Sequence, residues 1–367
     1  MTLPSTMRAM VLTRHGDMDA YDWREDWPVP VPGAQQVLIK VAACGLNNTD
    51  VNTRSGWYSK AVTDATTGGG FDTVDDEDPS WGGAPLAFPR IQGADVCGEV
   101  VAVGTGADAA LLGKRVITDN WLRDWNDPLD KNKTGYYGSE IDGGFAEYTV
   151  TDYRNVGAVE CDMTDAELAT FSCSYTTAEG MLSRAGVTGD DTVLVTGASG
   201  GVGSALIQLA KRRGARVIGM ASEAKHARLS ALGADALLPR APDNLAAALR
   251  AATGSDTVSV VADIVGGQGF ADVIDRLARG ARYTCSGAIA GPIVDLDLRT
   301  LYLRDLTFHG STVVTPQIFR DLIGYIERGE IVPMLAKTYP LEQLREAQQA
   351  FIDKAHTGNI VVIPASR

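Results

Sequence analysis

No stretch of about 18 consecutive apolar residues occurs anywhere in the chain, so no membrane-spanning helix is expected. The N-terminus, Met1-Thr-Leu-Pro-Ser-Thr-Met-Arg-Ala-Met10, lacks a basic region followed by an apolar core. A secretory signal is therefore not expected, and the chain reads as cytoplasmic. Cysteine is scarce. Cys44, Cys97, Cys161, Cys173 and Cys285 are scattered and odd in number, which argues against a disulfide framework. Positive charge is in deficit, with 33 Lys and Arg against 46 Asp and Glu and a formal charge of −13. Such a surface repels phosphate backbones, so nucleic acid is excluded as a partner, although a local basic pocket can still hold a nucleotide. There is no internal repeat and no low-complexity tract.

What is present suits a globular protein of two domains. The 367 residues exceed what one core ordinarily holds, and 45% hydrophobic with 22% charged residues is an ordinary balance. The first part reads as mostly β. Residues 7–12, 36–42, 96–103 and 113–118 have strand character, with Pro28, Pro30, Pro32 and Gly33 forming a loop between the first two. Residues 59–90, with Gly68-Gly-Gly70 and the acidic run Asp75-Asp-Glu-Asp78, read as a long loop. So do residues 119–142, where Trp121, Trp125, Tyr136 and Tyr137 suggest that part of the segment packs down.

From Thr164 the rhythm changes. Thr164 with Glu167 forms a capping-box signature, and a helix is expected to run to Leu182. Strands at 192–196, 215–220, 236–238, 258–262, 281–286 and 306–312 then alternate with helices at 201–213, 223–232, 243–252 and 269–279. That alternation predicts a doubly wound parallel sheet. Helices at 316–328 and 341–354 and a strand at 359–363 close the chain.

The strongest motif is Thr192-Val-Leu-Val-Thr-Gly-Ala-Ser-Gly-Gly-Val-Gly203, a β-branched strand entering a glycine turn with a helix behind it. Glycine lets the backbone approach a pyrophosphate closely, and the helix N-terminus offers N–H groups and a positive dipole end. Ala198 stands at the first position of the G-x-G-x-x-G pattern, with Gly200 and Gly203 at the other two. After the second strand an acid would read the ribose of NAD, but Ala221 stands there. Ser222 and Lys225 are suited to a 2′-phosphate, which favours NADPH, with Glu223 the competing reading. Thr196-Gly-x-x-x-Gly-x-Gly203 also fits the short-chain reductases. Those need a Tyr-x-x-x-Lys pair downstream, whereas Tyr283, Tyr302, Tyr325 and Tyr339 are followed four residues on by Gly287, Leu306, Gly329 and Gln343.

Taken with Ala43-Cys-Gly-Leu-Asn-Asn-Thr-Asp-Val-Asn-Thr-Arg-Ser-Gly-Trp-Tyr58, Gln92-Gly-Ala-Asp-Val-Cys-Gly-Glu-Val-Val-Ala-Val-Gly104, Gly143-Gly-Phe-Ala-Glu-Tyr148 and His356-Thr-Gly-Asn-Ile-Val-Val362, the chain resembles the medium-chain dehydrogenase/reductase superfamily. More narrowly, it resembles the zinc-lacking quinone oxidoreductase (zeta-crystallin-like) branch. The resemblance implies an α/β protein with a GroES-like, mostly β catalytic domain over 1–157 and 313–367. A Rossmann domain with a doubly wound parallel sheet would span 158–312, with the cofactor in the cleft between the two. It also implies cofactor contacts from Thr177, Ala198, Ser199, Gly200, Gly201, Val202, Ser222, Lys225, Val265, Gly287 and Asn359, and substrate contacts from Asn47 and Tyr58. Relatives pair the strand at 306–312 across a two-fold axis, which implies a homodimer.

The zinc enzymes of this superfamily bind the catalytic metal through Cys, His with a nearby Glu, and Cys. At the matching positions stand Asn47, Ala94 followed by Asp95, and Cys173, and no cysteine falls within 119–142. Zinc is therefore not expected. Cys173 reads as a small buried hydrophobe, Arg54 as half of a structural salt bridge and His309 as structural. Without a Lewis acid to activate an alcohol, a quinone or an α,β-unsaturated carbonyl compound is the easier hydride acceptor, its developing charge held by hydrogen-bond donors. The expected activity is NADPH-dependent reduction of such a small molecule. The alternatives are a zinc-free alcohol or aldehyde reductase and a redox-inactive NADPH-binding sensor.

Overall fold

The structure is a computed structural model that describes residues 3–66, 68–74, 77 and 83–365. It divides into two units. The first comprises Met1–Val62, Thr67–Cys173 and Thr315–Arg367, and the second comprises Thr63–Thr66 and Ser174–Val314. The first unit thus runs to Cys173, past the expected boundary at 157. The strand Val156–Ala158 pairs with Arg115–Thr118, and the short helix Asp165–Leu168 packs on Gln36–Gly45, which ties these residues to the first unit's sheet.

The first unit is built on a seven-stranded sheet. In order across it lie Leu335–Pro340, Asn359–Ile363, Gln36–Gly45, Asp95–Val103, Arg115–Thr118 and Val156–Ala158, with Tyr148–Asp152 also pairing with Gln36–Gly45. The central strand is almost wholly apolar and buried, as a strand covered on both faces must be. Its neighbour comes so near that a Cβ on Gly98 would lie 2.3 Å from the Lys40 carbonyl oxygen, so only glycine fits there. A hairpin of Thr6–Leu12 and Tyr21–Pro28 stands beside the sheet.

Within 119–142 the chain folds into a ribbon of Trp121–Arg123 and Thr134–Tyr136, with Trp121 opposite Tyr136. The fully buried pair Arg123–Asp119, at 3.2 Å, pins its base. The segment is therefore more ordered than a long loop. Residues 59–90 hold no strand longer than an isolated bridge among the described residues. Asp75, Asp76 and Asp78 of the acidic run lie outside those residues.

In the second unit six parallel strands lie in the order Ala236–Leu238, Arg216–Met220, Thr192–Val195, Val258–Asp263, Leu277–Cys285 and Thr307–Gly310. The chain starts in the middle, winds outward one way and returns to wind the other. The order reverses between Thr192–Val195 and Val258–Asp263, and open α/β sheets bind ligands at the strand ends beside such a switch point. The core between sheet and helices includes Leu194, Ile218, Leu249, Val261, Ile274 and Leu277.

Three expected helices are shorter than their sequence suggests. The capping box of Thr164 and Glu167 forms, yet the helix breaks after Leu168 and resumes as Ser172–Arg184. The 223–232 segment begins as a single 3-10 turn, Glu223–Lys225, before His226–Ala231. The helix expected at 269–279 stops at Ile274, because Leu277 already enters the next strand, and Gly280 (φ 73°) accommodates an irregularity in that strand's register.

Candidate active site

In the first unit, Asn47 sits where the central strand gives way to the helix Asn48–Ser55. Its backbone N–H donates to Asp50 Oδ2 at 2.7 Å, which caps the helix and fixes Asn47 in an extended conformation. The Asn47 side chain is buried against Asp95, with Nδ2 completing no hydrogen bond. Asp95 is wholly buried. Its Oδ1 accepts the Cys173 backbone N–H at 2.9 Å, and its Oδ2, facing the Asn47 amide, completes no hydrogen bond among the described residues.

Burial pushes both carboxyls up to about 7, and their mutual repulsion adds to this at Asp50. Near neutral pH the pair therefore holds protons that exposed carboxyls would have lost. Next to them Tyr136 Oη donates to Cys173 Sγ at 3.2 Å and accepts from Asn120 Nδ2 at 3.2 Å. Tyr58 donates to Thr49 Oγ1 at 3.4 Å, and burial pushes its phenol up to about 12, so it remains a neutral donor.

Cys173 is thus no inert hydrophobe. It is half-buried, and its sulfur accepts a hydrogen bond from Tyr136, a residue of the segment expected to be a loop. The Trp121–Tyr136 pair, an edge-on contact at 5.3 Å, is what delivers that tyrosine, and the density of aromatics in 119–142 was the available signal. Arg54 also departs from expectation. It is fully buried and forms no salt bridge among the described residues. Instead it donates to three neutral acceptors, Gln348 Oε1, the Gly16 carbonyl and the Gly68 carbonyl.

These residues do not fit a catalytic zinc. The metal takes three protein ligands from thiolate, imidazole and carboxylate, with geometry near tetrahedral. Here the set is an amide, one carboxyl already holding a backbone N–H, and one thiol already hydrogen-bonded to a phenol. Among the described residues, no group of three or more His, Cys, Asp or Glu is arranged to hold a metal ion.

In the second unit, Thr192–Val195 leads through Thr196 and Gly197 (φ 58°) to the helix Gly201–Arg212, with Gly200 at its N-cap. A Cβ on Gly203 would lie 2.2 Å from the Gly197 carbonyl oxygen and 2.7 Å from Ala198 Cα, so the turn closes only on glycine. At Gly200 the added atom would meet nothing nearer than 3.7 Å, leaving an open cradle. Ser199, Gly200, Gly201 and Val202 are half-buried, and the first-turn amides of a helix have no partner within it. The cradle fits a pyrophosphate. Ala198 faces inward, and its N–H donates to the Met220 carbonyl at 3.1 Å.

Ser222 is exposed at the N-cap of the 3-10 turn, and Lys225 is half-buried. Burial lowers the Lys225 pKa, and the nearby Arg240 guanidinium lowers it further. Two cations held together this way suit an anion, and Arg240 was invisible from sequence because it follows a different strand. Thr177 lies half-buried on Ser172–Arg184, Val265 half-buried and Gly287 exposed at strand ends. Asn359 belongs to the first unit, buried on Asn359–Ile363 with its N–H on the Met334 carbonyl at 2.7 Å.

Two family models match the chain: the alcohol dehydrogenase GroES-like domain over residues 33–160 and the zinc-binding dehydrogenase over residues 201–328. A solved structure of a putative alcohol dehydrogenase from Sinorhizobium meliloti 1021 is similar at a TM-score of 0.90 with 45% identity, covering 99% of this chain and 98% of its own. Quinone oxidoreductase of Homo sapiens is 26% identical, covering 97% of this chain and 98% of its own. The NAD-dependent alcohol dehydrogenase of Sulfolobus acidocaldarius is 28% identical, covering 93% and 95%.

Proposed function

The chain belongs to the medium-chain dehydrogenase/reductase superfamily of nicotinamide-dependent oxidoreductases, and from that premise we propose that it reduces quinones or α,β-unsaturated carbonyl compounds with NADPH and without zinc. One observation carries this reading. The buried Asn47, Asp95 and Tyr136 with the half-buried Cys173 offer hydrogen-bond donors and a thiol where a zinc enzyme would need three ligands. An alcohol is difficult to activate there, whereas an acceptor that spreads charge onto oxygen needs only donors.

Bound NADPH would supply the hydride. The backbone of Ser199, Gly200, Gly201 and Val202 would hold its pyrophosphate, with Ala198 shaping the turn. Ser222, Lys225 and Arg240 would hold its 2′-phosphate. Thr177, Val265, Gly287 and Asn359 are the remaining proposed contacts. Asn47 and Tyr58 would donate to the carbonyl oxygen as charge develops there, the phenol staying protonated because burial raises it to about 12. Reduction of an aldehyde or ketone is the second reading, supported by the alcohol dehydrogenase names among the similar proteins.

Charge-assisted hydrogen bonds contribute roughly 1.5–3 kcal/mol each, so the double variant Lys225→Ala/Arg240→Ala is expected to raise the KM for NADPH on the order of 100-fold. The KM for NADH should hardly move. Steady-state kinetics with both nucleotides checks this, and equal effects on the two would remove the 2′-phosphate role. Tyr58→Phe is expected to lower kcat about 100-fold at unchanged KM for NADPH. Undiminished turnover would exclude Tyr58 from the mechanism.

A homodimer belongs to the same reading. Thr307–Gly310 is the outer strand of its sheet, and the chain just before it exposes Ile293, Leu298, Tyr302 and Leu303, at 69%, 64%, 62% and 57%. An open edge next to an apolar patch needs covering, and two-fold pairing of this edge would cover both. Light scattering should read twice the 38.9 kDa chain mass at micromolar concentration, and a monomer there would exclude the pairing.

A further inference from the structure

Asp263 ends the strand Val258–Asp263, is 2% exposed, and forms no ion pair among the described residues. Four hydrogen-bond donors, one of them shared by both oxygens, compensate its carboxylate for lost water. Oδ1 accepts from the Thr196 hydroxyl, from the Val265 N–H at 2.8 Å and from the Gly266 N–H at 3.3 Å, and the last is shared with Oδ2. Oδ2 also accepts from Tyr283 Oη at 2.8 Å. Thr196 Oγ1 in turn accepts the Ile264 N–H at 3.2 Å.

These partners come from three places. Thr196 is the residue before Gly197 and so carries the glycine turn. Ile264, Val265 and Gly266 open the second turn, in which Gly266 and Gly267 both have positive φ, at 60° and 64°. Tyr283 stands on the next strand, edge-on to Phe270 at 5.5 Å and tilted against Phe308 at 5.0 Å, and this packing fixes where its hydroxyl points. Burial raises the Tyr283 pKa, and the neighbouring Asp263 raises it further, so the phenol stays a donor.

Two adjacent glycines have a wide choice of backbone conformation, and nothing in their own side chains selects one. Asp263 selects it from outside by capping two consecutive amides. It simultaneously grips the residue that leads into the other turn. A carboxylate that merely filled the core would not need to join these two segments, and an unpaired charge is costly to bury for packing alone.

We propose that Thr196, Asp263 and Tyr283 form a positioning unit that sets the turn at 264–267 in register with the turn at 197–203, so that a dinucleotide meets both at once. This rests on the reading that Ser199–Val202 and Val265 both contact NADPH. The three are positioning residues. Asp263 and Tyr283 act through the backbone they hold.

The sharpest variant is Tyr283→Phe, because the lost hydroxyl sits behind Asp263 on another strand. Binding of NADPH and of 2′,5′-ADP is followed by fluorescence and calorimetric titration of the wild-type and variant proteins. Hydrogen exchange of the amides at 264–267 is followed in the nucleotide-free protein. The fragment reaches only the adenosine half of the dinucleotide, so misregister between the turns should spare it. Tyr283→Phe and Thr196→Val should each weaken NADPH about tenfold, leave 2′,5′-ADP within about twofold, and speed exchange at Val265 and Gly266 about tenfold. Thr196→Ser, which keeps the hydroxyl, should restore both. A purely structural role would lower the melting temperature and leave the ratio of the two affinities unchanged, and that outcome overturns the proposal. So does slow exchange at 265–266 in both variants. Wild-type protein that bound neither NADPH nor 2′,5′-ADP would remove the underlying reading, and this inference with it.

Discussion

Gly203→Ala is expected to weaken NADPH binding more than 100-fold, whereas Gly200→Ala weakens it less than tenfold. The two differ in what the added methyl group meets. At Gly203 it would lie 2.2 Å from the Gly197 carbonyl oxygen and 2.7 Å from Ala198 Cα, and both are backbone atoms that no rotamer change can clear. The helix Gly201–Arg212 would have to withdraw from the turn, carrying its first amides away from the pyrophosphate they are proposed to hold. At Gly200 the same group would find only the Gly197 carbonyl oxygen at 3.7 Å, an ordinary contact. Nucleotide titration of the two variants, with circular dichroism to verify folding, checks the difference. Equal affinities in the two would show that the turn does not hold the pyrophosphate.

The second large effect falls on stability. Arg54→Ala is expected to destabilise the first unit by roughly 3–5 kcal/mol, or a fall in Tm on the order of 10 °C. The guanidinium is fully buried and bonds to Gln348 Oε1 at 3.0 Å, the Gly16 carbonyl at 2.6 Å and the Gly68 carbonyl. It thereby joins the N-terminal hairpin, the segment after residue 59 and the helix Leu344–Ile352. Truncation leaves two buried acceptors and one half-buried one without this donor and opens a cavity among them. Arg54→Lys should recover little, because one ammonium cannot span three acceptors spread about a planar fork. Calorimetry of the two variants gives the answer, and a Tm within about 2 °C of wild type would show that these acceptors find other donors.

Much of the second unit was legible in the sequence because its signals are local. Thr192–Val195 is a β-branched run, the glycines follow at once, and alternation of strand and helix implies parallel pairing. Its errors were local as well. Asp275 to Arg279 has helical composition, yet pairing with Val258–Asp263 and Thr307–Gly310 draws Leu277 onward into a strand. Tyr21–Pro28 was missed because its charges mask a two-residue alternation against Thr6–Leu12.

The site was legible only in part. Asn47 and Tyr58 were expected through the resemblance, and their roles are proposals. Tyr136 was not, since it reaches Cys173 through a ribbon that only tertiary pairing creates. Arg240 comes to Lys225 from the strand Ala236–Leu238, and no spacing in the sequence joins them. Arg54 looked like half of an ion pair because charged side chains are seldom buried without one. Backbone carbonyls that sequence cannot place turned out to be its partners.

The proposed activity is zinc-free, NADPH-dependent reduction of an activated acceptor. It is tested most directly by following NADPH and NADH oxidation, in the presence of EDTA, against a panel of quinones, enones and simple aldehydes. Turnover of quinones or enones, with NADPH preferred and EDTA without effect, is the expected result. Turnover that is confined to aldehydes, prefers NADH or is abolished by EDTA and restored by zinc would contradict it.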